Sequence, residues 1–340
     1  MGPRQTGGSG TRPRLGFGCA GLFALPRARD RQMMLDMAFD LGIRHFDVAP
    51  MYGLGRAEAE LGQLLSRHPG ELSVTTKFGI YPSTLGASLG RTQAPIRFFL
   101  RRARTAQDKA KALGASPSSG LLGRALYRAR PWDPALARKS LHQSLRALRV
   151  DHVEYFALHD PTFGGATSAL PVIEFLDGQL DAGSIRCWGI AGHVIDESTL
   201  ALARSAGRLG MLQFAADILS PGAVGASLPA VETITFGALA RALPSIEAHL
   251  SRSAAILQYW EGTLGPGLLE HGRLSVLLLS EALRRNKDGT VLFSTTRVAH
   301  LKAAASLAES LDLPEAERLA PALSALASDA SSVVPHGVGR

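Results

Sequence analysis

The chain has 340 residues, 46% of them hydrophobic, and two cysteines, Cys19 and Cys187. That is enough apolar material for a large core without a disulfide framework, and no run of 18 apolar residues is present to form a membrane-spanning helix. The net charge of +8 invites a nucleic-acid reading, but residues 81–132 hold ten Arg or Lys against one acid and the remainder sums to −1, which disfavours a whole-surface nucleic-acid binder.

The opening stretch MGPRQTGGSGTRPR lacks the apolar run of a secretory signal. Residues 1–13 read as a disordered leader, because Gly, Pro, Arg and Ser bury too little surface to order it. The two cysteines lie in apolar strand-like runs and read as small buried hydrophobes, which suits a reducing, cytoplasmic setting.

From Arg14 onward short β-like runs alternate with helical ones. Leu15 to Leu22 is a predicted strand, and Arg27 to Leu41 a helix stopped by Gly42. His45 to Ala49 is the second strand, Gly55 to His68 a helix, and Ser73 to Phe78 the third strand. The rhythm breaks over residues 81–132, a basic insertion, and resumes at Asp133-Pro134, an N-cap followed by proline at the first helical position. A helix to about Arg149 leads to the fourth strand, Val153 to His159, nearly all apolar as a strand covered on both faces should be. Thr167 to Ala182 is helical, Ile185 to Ala191 the fifth strand, and Asp196 caps a helix to about Ala206. Met211 to Leu219 and Val231 to Leu239 are strands, Pro244 to Trp260 and Leu268 to Arg285 helices, and Thr290 to Thr295 the last strand. Helices follow to about Ala327, and residues 328–340 read as a flexible tail.

Eight strands separated by helical crossovers predict an α/β fold, a (β/α)8 TIM barrel over residues 14–327. An open doubly wound sheet would carry a Gly-rich turn opening a helix after its first strand. Gly16, Gly18 and Gly21 have that spacing, but no helix opens there, so the match is weak.

Four chemistry-bearing residues fall at or just past the ends of three predicted strands: Asp47 and Tyr52 at the second, Lys77 at the third, His159 at the fourth. Taken singly, Asp47 could cap a helix, Tyr52 could be a loop aromatic, Lys77 could snorkel to the rim and His159 could be a satisfied core histidine. Four such groups at one barrel rim favour a common purpose, since catalytic groups converge at the C-terminal edge of a barrel. Reducing a carbonyl needs a hydride on carbon and a proton on oxygen. A tyrosine, ordinarily a weak acid, gains strength beside an ammonium, so Lys77 is expected to pull the Tyr52 pKa toward working pH. Asp47 would balance a buried Lys77, and a neutral His159 would orient the substrate oxygen.

The stretches HFDVAPMYGLGRAEAELG (45–62), TTKFG (75–79), SLHQSLRALRVDHVEYFALHDP (140–161) and SIRCWGI (184–190) resemble the aldo-keto reductases. The resemblance runs from about Arg14 to Leu311 and leaves out the insertion. It implies a (β/α)8 barrel, a nicotinamide cofactor, and a tetrad that maps onto Asp47, Tyr52, Lys77 and His159. It further implies Gln213 as a ligand of the nicotinamide carboxamide and Phe236 as a ring stacked on the nicotinamide, although Phe236 also reads as a plain core residue. Ser294, Thr295 and Arg297 would form a phosphate-binding turn at a helix N-terminus. Arg297 would read an adenosine 2′-phosphate, favouring NADP over NAD, unless it merely faces solvent at the start of the helix. The family's Ser-Asn pair after the fifth strand is replaced here by Ala191-Gly192, followed by His193, so one carboxamide contact must come from elsewhere.

The function these residues point to is interconversion of an aldehyde or ketone, sugar-like or otherwise, with its alcohol. The expected partners are that small substrate and the cofactor, with no nucleic acid and no membrane. The alternative is a nucleotide-binding regulatory subunit on the same barrel, with vestigial redox activity. The insertion reads as a lid for an anion, a docking element or a solvated arm, with RFFLRRARTAQDKAKAL (97–113) as a basic helix.

Overall fold

The structure is a computed structural model that describes residues 14–84, 126–129, 131–161, 166–195, 197–206, 208–220, 230–270 and 272–332. Its strands are β1 Arg14–Gly18, β2 His45–Asp47, β3 Ser73–Phe78, β4 Ile80–Pro82, β5 Tyr127–Ala129, β6 Val153–His159, β7 Ile185–Gly192, β8 Met211–Ala215, β9 Glu232–Phe236 and β10 Thr290–Phe293. The helices are α1 Ala28–Asp40, α2 Ala57–Arg67, α3 Pro134–Leu148, α4 Ala166–Asp181, α5 Glu197–Ala206, α6 Ala242–Leu250, α7 Ala254–Leu264, α8 Arg273–Arg285, α9 Val298–Ser310 and α10 Leu313–Ser332.

Eight of the strands close into a parallel barrel in the spatial order β1, β2, β3, β6, β7, β8, β9, β10. This is the (β/α)8 architecture expected from the alternation of strands and helices. Side-chain alternation explains the barrel wall. Phe46, Val74, Phe156, Trp188, Ile190, Leu212 and Val291 belong to the main core packed beneath the helices. Tyr155, Ala157, Ala191, Met211, Ile234 and Leu292 form a separate buried cluster inside the barrel. The register pairs Thr75 with Asp47 across β2 and β3, and Lys77 with Ala157 across β3 and β6. His159, Ala191 and Gln213 are likewise partners across β6, β7 and β8.

Local signals behave as their chemistry requires. Gly42 is left-handed at φ +84° behind α1, and Asp133 caps α3 by accepting from Leu136 N–H at 2.9 Å. Other boundaries move. The first strand ends at Gly18, where Cys19–Ala24 turns into a 3-10 helix. The strands expected to run to Leu219, Leu239 and Thr295 end at Ala215, Phe236 and Phe293. The stretch Pro244 to Trp260 is two helices, because Ser253 accepts from Ile256 N–H at 3.2 Å and starts α7 afresh. The helix α10 continues to Ser332, five residues past the expected boundary, with Ala330 buried against the cluster formed by α6, α7, α8 and α10. Residues 333–340, the leader 1–13 and Asp196 lie outside the described residues. Both cysteines are free; Cys19 is buried, but Cys187 is only half-buried.

Most of the basic insertion, including 97–113, also lies outside the described residues. Its two ends are described. β4 and β5 pair antiparallel, Ile80 opposite Ala129 and Pro82 opposite Tyr127, and Ser83 N–H donates to Leu126 O at 2.7 Å. Ile80 is buried with Ala49 and Met51, and Tyr52 and Tyr127 pack on that cluster. The stem of the insertion therefore packs beside the loop that carries Tyr52. Among the described residues no helix is long and apolar enough to cross a membrane.

Candidate active site

Asp47 ends β2, Lys77 sits near the end of β3 and His159 ends β6. Tyr52 opens a 3-10 turn, Tyr52–Leu54, beyond β2. That turn is held by backbone geometry and by packing. Gly53, Leu54 and Gly55 all have positive φ, at +59°, +56° and +93°. A Cβ on Gly53 would stand 2.4 Å from the Phe23 ring. Phe23 is held in turn by the Arg31 guanidinium, 4.4 Å from its centroid, and Arg31 forms a buried bidentate pair with Glu60 of α2 at 2.5 and 2.7 Å. Below the site, Thr76 donates to buried Glu58 at 2.6 Å and ties β3 to α2.

Lys77, 1% exposed, is the centre of the cluster. Its Nζ donates to Asp47 Oδ1 at 2.5 Å, to Val48 O at 3.1 Å and to Tyr52 Oη at 3.3 Å. An ammonium has three donors, so these contacts spend all of them and fix the charge under the phenol. The Tyr52 and His159 rings meet edge to face with centroids 6.4 Å apart. The sequence pattern thus led to four residues that the fold brings together at one rim.

The electrostatics correct one expectation. Burial pushes the Tyr52 phenol well above its ordinary value, and the carboxylates of Asp47 and Asp160 push it further. The expected downward pull of Lys77, whose ammonium is paired with Asp47 at 2.5 Å, is not what prevails. The Tyr52 phenol is thus shifted toward its protonated form, with the Lys77 N–H donating to its oxygen. Burial, then Lys77 and His193, hold His159 well below its ordinary range. The imidazole is neutral at working pH and keeps one N–H to donate. Burial and Asp47 likewise raise the thiol of Cys19, which lies in the field of the Asp47–Lys77 pair.

Gln213 reaches across the barrel from β8. Its Nε2 donates to Asp47 Oδ1 at 3.0 Å, so one carboxylate oxygen receives both Lys77 and Gln213. Its Oε1 is buried and has no hydrogen-bond partner among the described residues. Such an orphan acceptor costs about 1–3 kcal/mol unless a ligand satisfies it, and the N–H2 of a nicotinamide carboxamide is a donor of the right kind. The residues present therefore fit a nicotinamide cofactor. Phe236 ends β9, half-buried, with its ring edge to face with His193 at 5.3 Å. Ser294 spends its hydroxyl donor on Gly18 O at 2.8 Å, stitching β10 to β1. A Cβ on Gly18 would stand 2.3 Å from Ser294 Oγ. Ser294 thus offers phosphate no hydroxyl donor in this arrangement. Thr295 Oγ1 accepts from Arg297 N–H at 3.1 Å, leaving its own O–H to donate, and Arg297 is the exposed N-cap of α9.

Two rim residues were not assigned from the sequence. Asp160 follows His159 with φ +47° and accepts from His193 N–H at 3.3 Å. The His-Asp and Gly-His pairs that produce this contact lie 33 residues apart, and only strand pairing shows that they meet. No group of three or more potential metal ligands occurs among the described residues.

Known proteins agree with this architecture. The family model described as "Aldo/keto reductase family" matches residues 14–220, more than half of the chain. A pyridoxal 4-dehydrogenase of Microbacterium luteolum is 42% identical over 84 residues, which is 24% of each protein. A D-threo-aldose 1-dehydrogenase of a Pseudomonas species is 29% identical over 218 residues, 59% of this chain and 58% of the relative. The chain thus spans from about a quarter to just over half the length of these curated relatives. Among solved structures, an aldo-keto reductase of Bacillus halodurans in its holo form matches with a TM-score of 0.62 at 18% identity, covering 91% of both chains. A glycerol dehydrogenase of Gluconobacter oxydans matches with a TM-score of 0.62 at 16% identity, covering 96% of this chain and 94% of that one. An aldo-keto reductase of Klebsiella pneumoniae in complex with NADPH matches with a TM-score of 0.55 at 17% identity, covering 91% of both. The structural matches agree in fold, and the family model carries the assignment: the chain belongs to the aldo/keto reductase family.

Proposed function

We propose that the protein is an NADP(H)-dependent oxidoreductase that interconverts an aldehyde or ketone with its alcohol, using Tyr52 as general acid and base. The observation that carries this reading is the three-way contact of the Lys77 ammonium with Asp47, Val48 O and Tyr52 Oη. A carbonyl oxygen at the rim would accept one hydrogen bond from the Tyr52 hydroxyl and one from the neutral His159 ring. As negative charge develops on that oxygen, Tyr52 gives up its proton. The phenolate left behind is stabilised by the Lys77 N–H already pointing at it. Asp47 holds Lys77 in place. In the oxidative direction the same phenolate takes the alcohol proton.

The bound cofactor supplies or accepts the hydride. Gln213 would hold its carboxamide, Phe236 would cover the nicotinamide ring, and Thr295, Arg297 and the first N–H groups of α9 would hold phosphate. Ser294 would contribute by keeping Gly18 and β10 together. The exposed guanidinium of Arg297 favours NADP(H) over NAD(H). The names of the aldose, pyridoxal and glycerol dehydrogenase relatives point to hydroxylated substrates.

The test is turnover in both directions: NADPH oxidation with simple and hydroxylated aldehydes, and NADP+ reduction with sugars and polyols. Saturable turnover supports the enzyme. Tight nucleotide binding with no turnover on any substrate would instead support the regulatory-subunit reading.

A further inference from the structure

Asp160 and Gly192 form a feature that the proposed chemistry does not use. Asp160 leaves β6 immediately after His159 in a left-handed conformation, φ +47°, which is uncommon for a side-chain-bearing residue and is tolerated best by Asp and Asn. Its N–H closes the turn by donating to Ala191 O at 2.6 Å. The turn carries the carboxylate sideways over the end of β7, where Oδ1 accepts from His193 N–H at 3.3 Å. Oδ1 there lies 2.9 Å from the point a Cβ on Gly192 would occupy. Any side chain at position 192 would displace the carboxylate, so the glycine and the strained aspartate form one device.

The strand register shows what this device faces. His159, Ala191 and Gln213 are aligned across β6, β7 and β8, and Asp160 and Gly192 stand one residue further toward the rim. Neighbouring strands are about 4.8 Å apart. Asp160 leaves β6 and Gln213 stands on β8, the two strands that border β7, and Gln213 Oε1 is orphaned. Both are acceptors, and they sit beside the rim where Tyr52 and His159 meet. Backbone strain concentrates where surrounding structure enforces it for a purpose, and two acceptors borne by the strands that border β7 suit a ligand that donates.

We propose that Asp160 is a ligand-binding residue whose carboxylate, seated over Gly192, accepts a hydrogen bond from an uncharged N–H or O–H group of a molecule bound at the rim. That donor is either the carboxamide N–H2 of the nicotinamide cofactor or a hydroxyl beside the reacting carbon of the substrate. The assignment rests on the oxidoreductase reading given above. It also makes the site unreceptive to a substrate with an anionic group at that position.

The experiment uses the full chain with Asp160→Ala, Asp160→Asn and Gly192→Ala. Gly192→Ala keeps the carboxylate in the protein but pushes it off its place, and Asp160→Asn keeps the size and the left-handed preference. Calorimetric titration measures the Kd for NADP+ and for its 3-acetylpyridine analogue, which has no amide N–H. Steady-state assays measure kcat/KM for glyceraldehyde relative to propanal. If the carboxamide is the donor, Asp160→Ala and Gly192→Ala weaken NADP+ by about 10- to 100-fold and leave the analogue unchanged. If a substrate hydroxyl is the donor, both Kd values hold and the preference for glyceraldehyde falls by a similar factor. Either result supports the assignment. If all the folded variants keep both the NADP+ affinity and the glyceraldehyde preference of the wild type, the assignment is overturned while the enzyme reading stands. A wild-type protein that binds no nicotinamide nucleotide overturns the enzyme reading itself.

Discussion

Replacing Tyr52 by Phe isolates the proton from everything else in the site. The substitution removes one oxygen, which accepts from Lys77 Nζ at 3.3 Å. Lys77 keeps Asp47 at 2.5 Å and Val48 O at 3.1 Å. The folding cost is therefore one long hydrogen bond, about 1 kcal/mol, and the variant should purify as a folded barrel. The chemical cost is larger. A positioned general acid is worth about 10²- to 10⁴-fold in rate, or about 3–5 kcal/mol of barrier. The assay is NADPH oxidation under saturating aldehyde, with Kd for NADPH measured separately. We expect kcat to fall at least a hundredfold while Kd stays within about twofold, because the phenol touches no group assigned to the cofactor. The pH dependence gives a second readout. The raised phenol pKa keeps the acid protonated, so wild-type reduction holds up into alkaline solution, and oxidation, which needs the phenolate, climbs with pH. Tyr52→Phe should abolish that climb. A variant retaining more than a fifth of the wild-type kcat, or the same alkaline slope, would refute the assignment of the proton to Tyr52.

Other consequences can be checked independently. Arg297→Ala removes an exposed cation from the N-terminus of α9, and should raise Kd for NADPH at least tenfold more than Kd for NADH; equal changes would remove Arg297 from 2′-phosphate recognition. Replacing residues 85–125 by a short Gly/Ser linker should leave the melting temperature nearly unchanged, because Ser83 and Leu126 already meet at 2.7 Å and loop length costs little. A wider cut through Tyr127 should lower kcat as well, since Tyr127 packs on the same Ala49, Met51 and Ile80 cluster as Tyr52, and a wide cut with normal kcat would refute that link. His45, inside the barrel with Ser73 at 2.8 Å and Thr75 at 3.2 Å, is pushed down to about 3 by burial and by Arg14 and Lys77. Between that value and 6.5 the unfolded chain binds a proton that the folded chain refuses, so stability present above pH 6.5 is lost as pH falls, by at most about 1.4 kcal/mol per unit. Urea unfolding should show this acid slope reduced in His45→Gln; identical slopes would mean that His45 is not held neutral.

The barrel and the tetrad were legible in the sequence because each rests on a short-range rule. Alternation within SVTTKF and HFDVA puts Lys77 and Asp47 on the inward face of their strands, and a barrel sends those faces to one rim. Caps at Asp133 and Gly42 mark helix ends through contacts within a few residues. The split of Pro244 to Trp260 was not legible, because Ser253 reads as an ordinary helix residue until its side chain is seen capping Ile256. Nor was the direction in which the Tyr52 phenol shifts, since that depends on burial and on which carboxylates face it. Gln213 and Asp47 are 166 residues apart, yet they share a hydrogen bond because β8 faces β2 across the barrel. Asp160 and Gly192 each look unremarkable in the sequence, and a glycine replacing a polar family residue reads only as a loss. The sequence alone determined the period of the strands, the faces they bury and the chemical types at the rim, because these follow from neighbours along the chain. Only closure of the barrel decided which carboxylate pairs with which cation, where Ser294 spends its proton, and that Asp160 fills the space Gly192 leaves open, because those contacts join strands whose proximity no local pattern encodes.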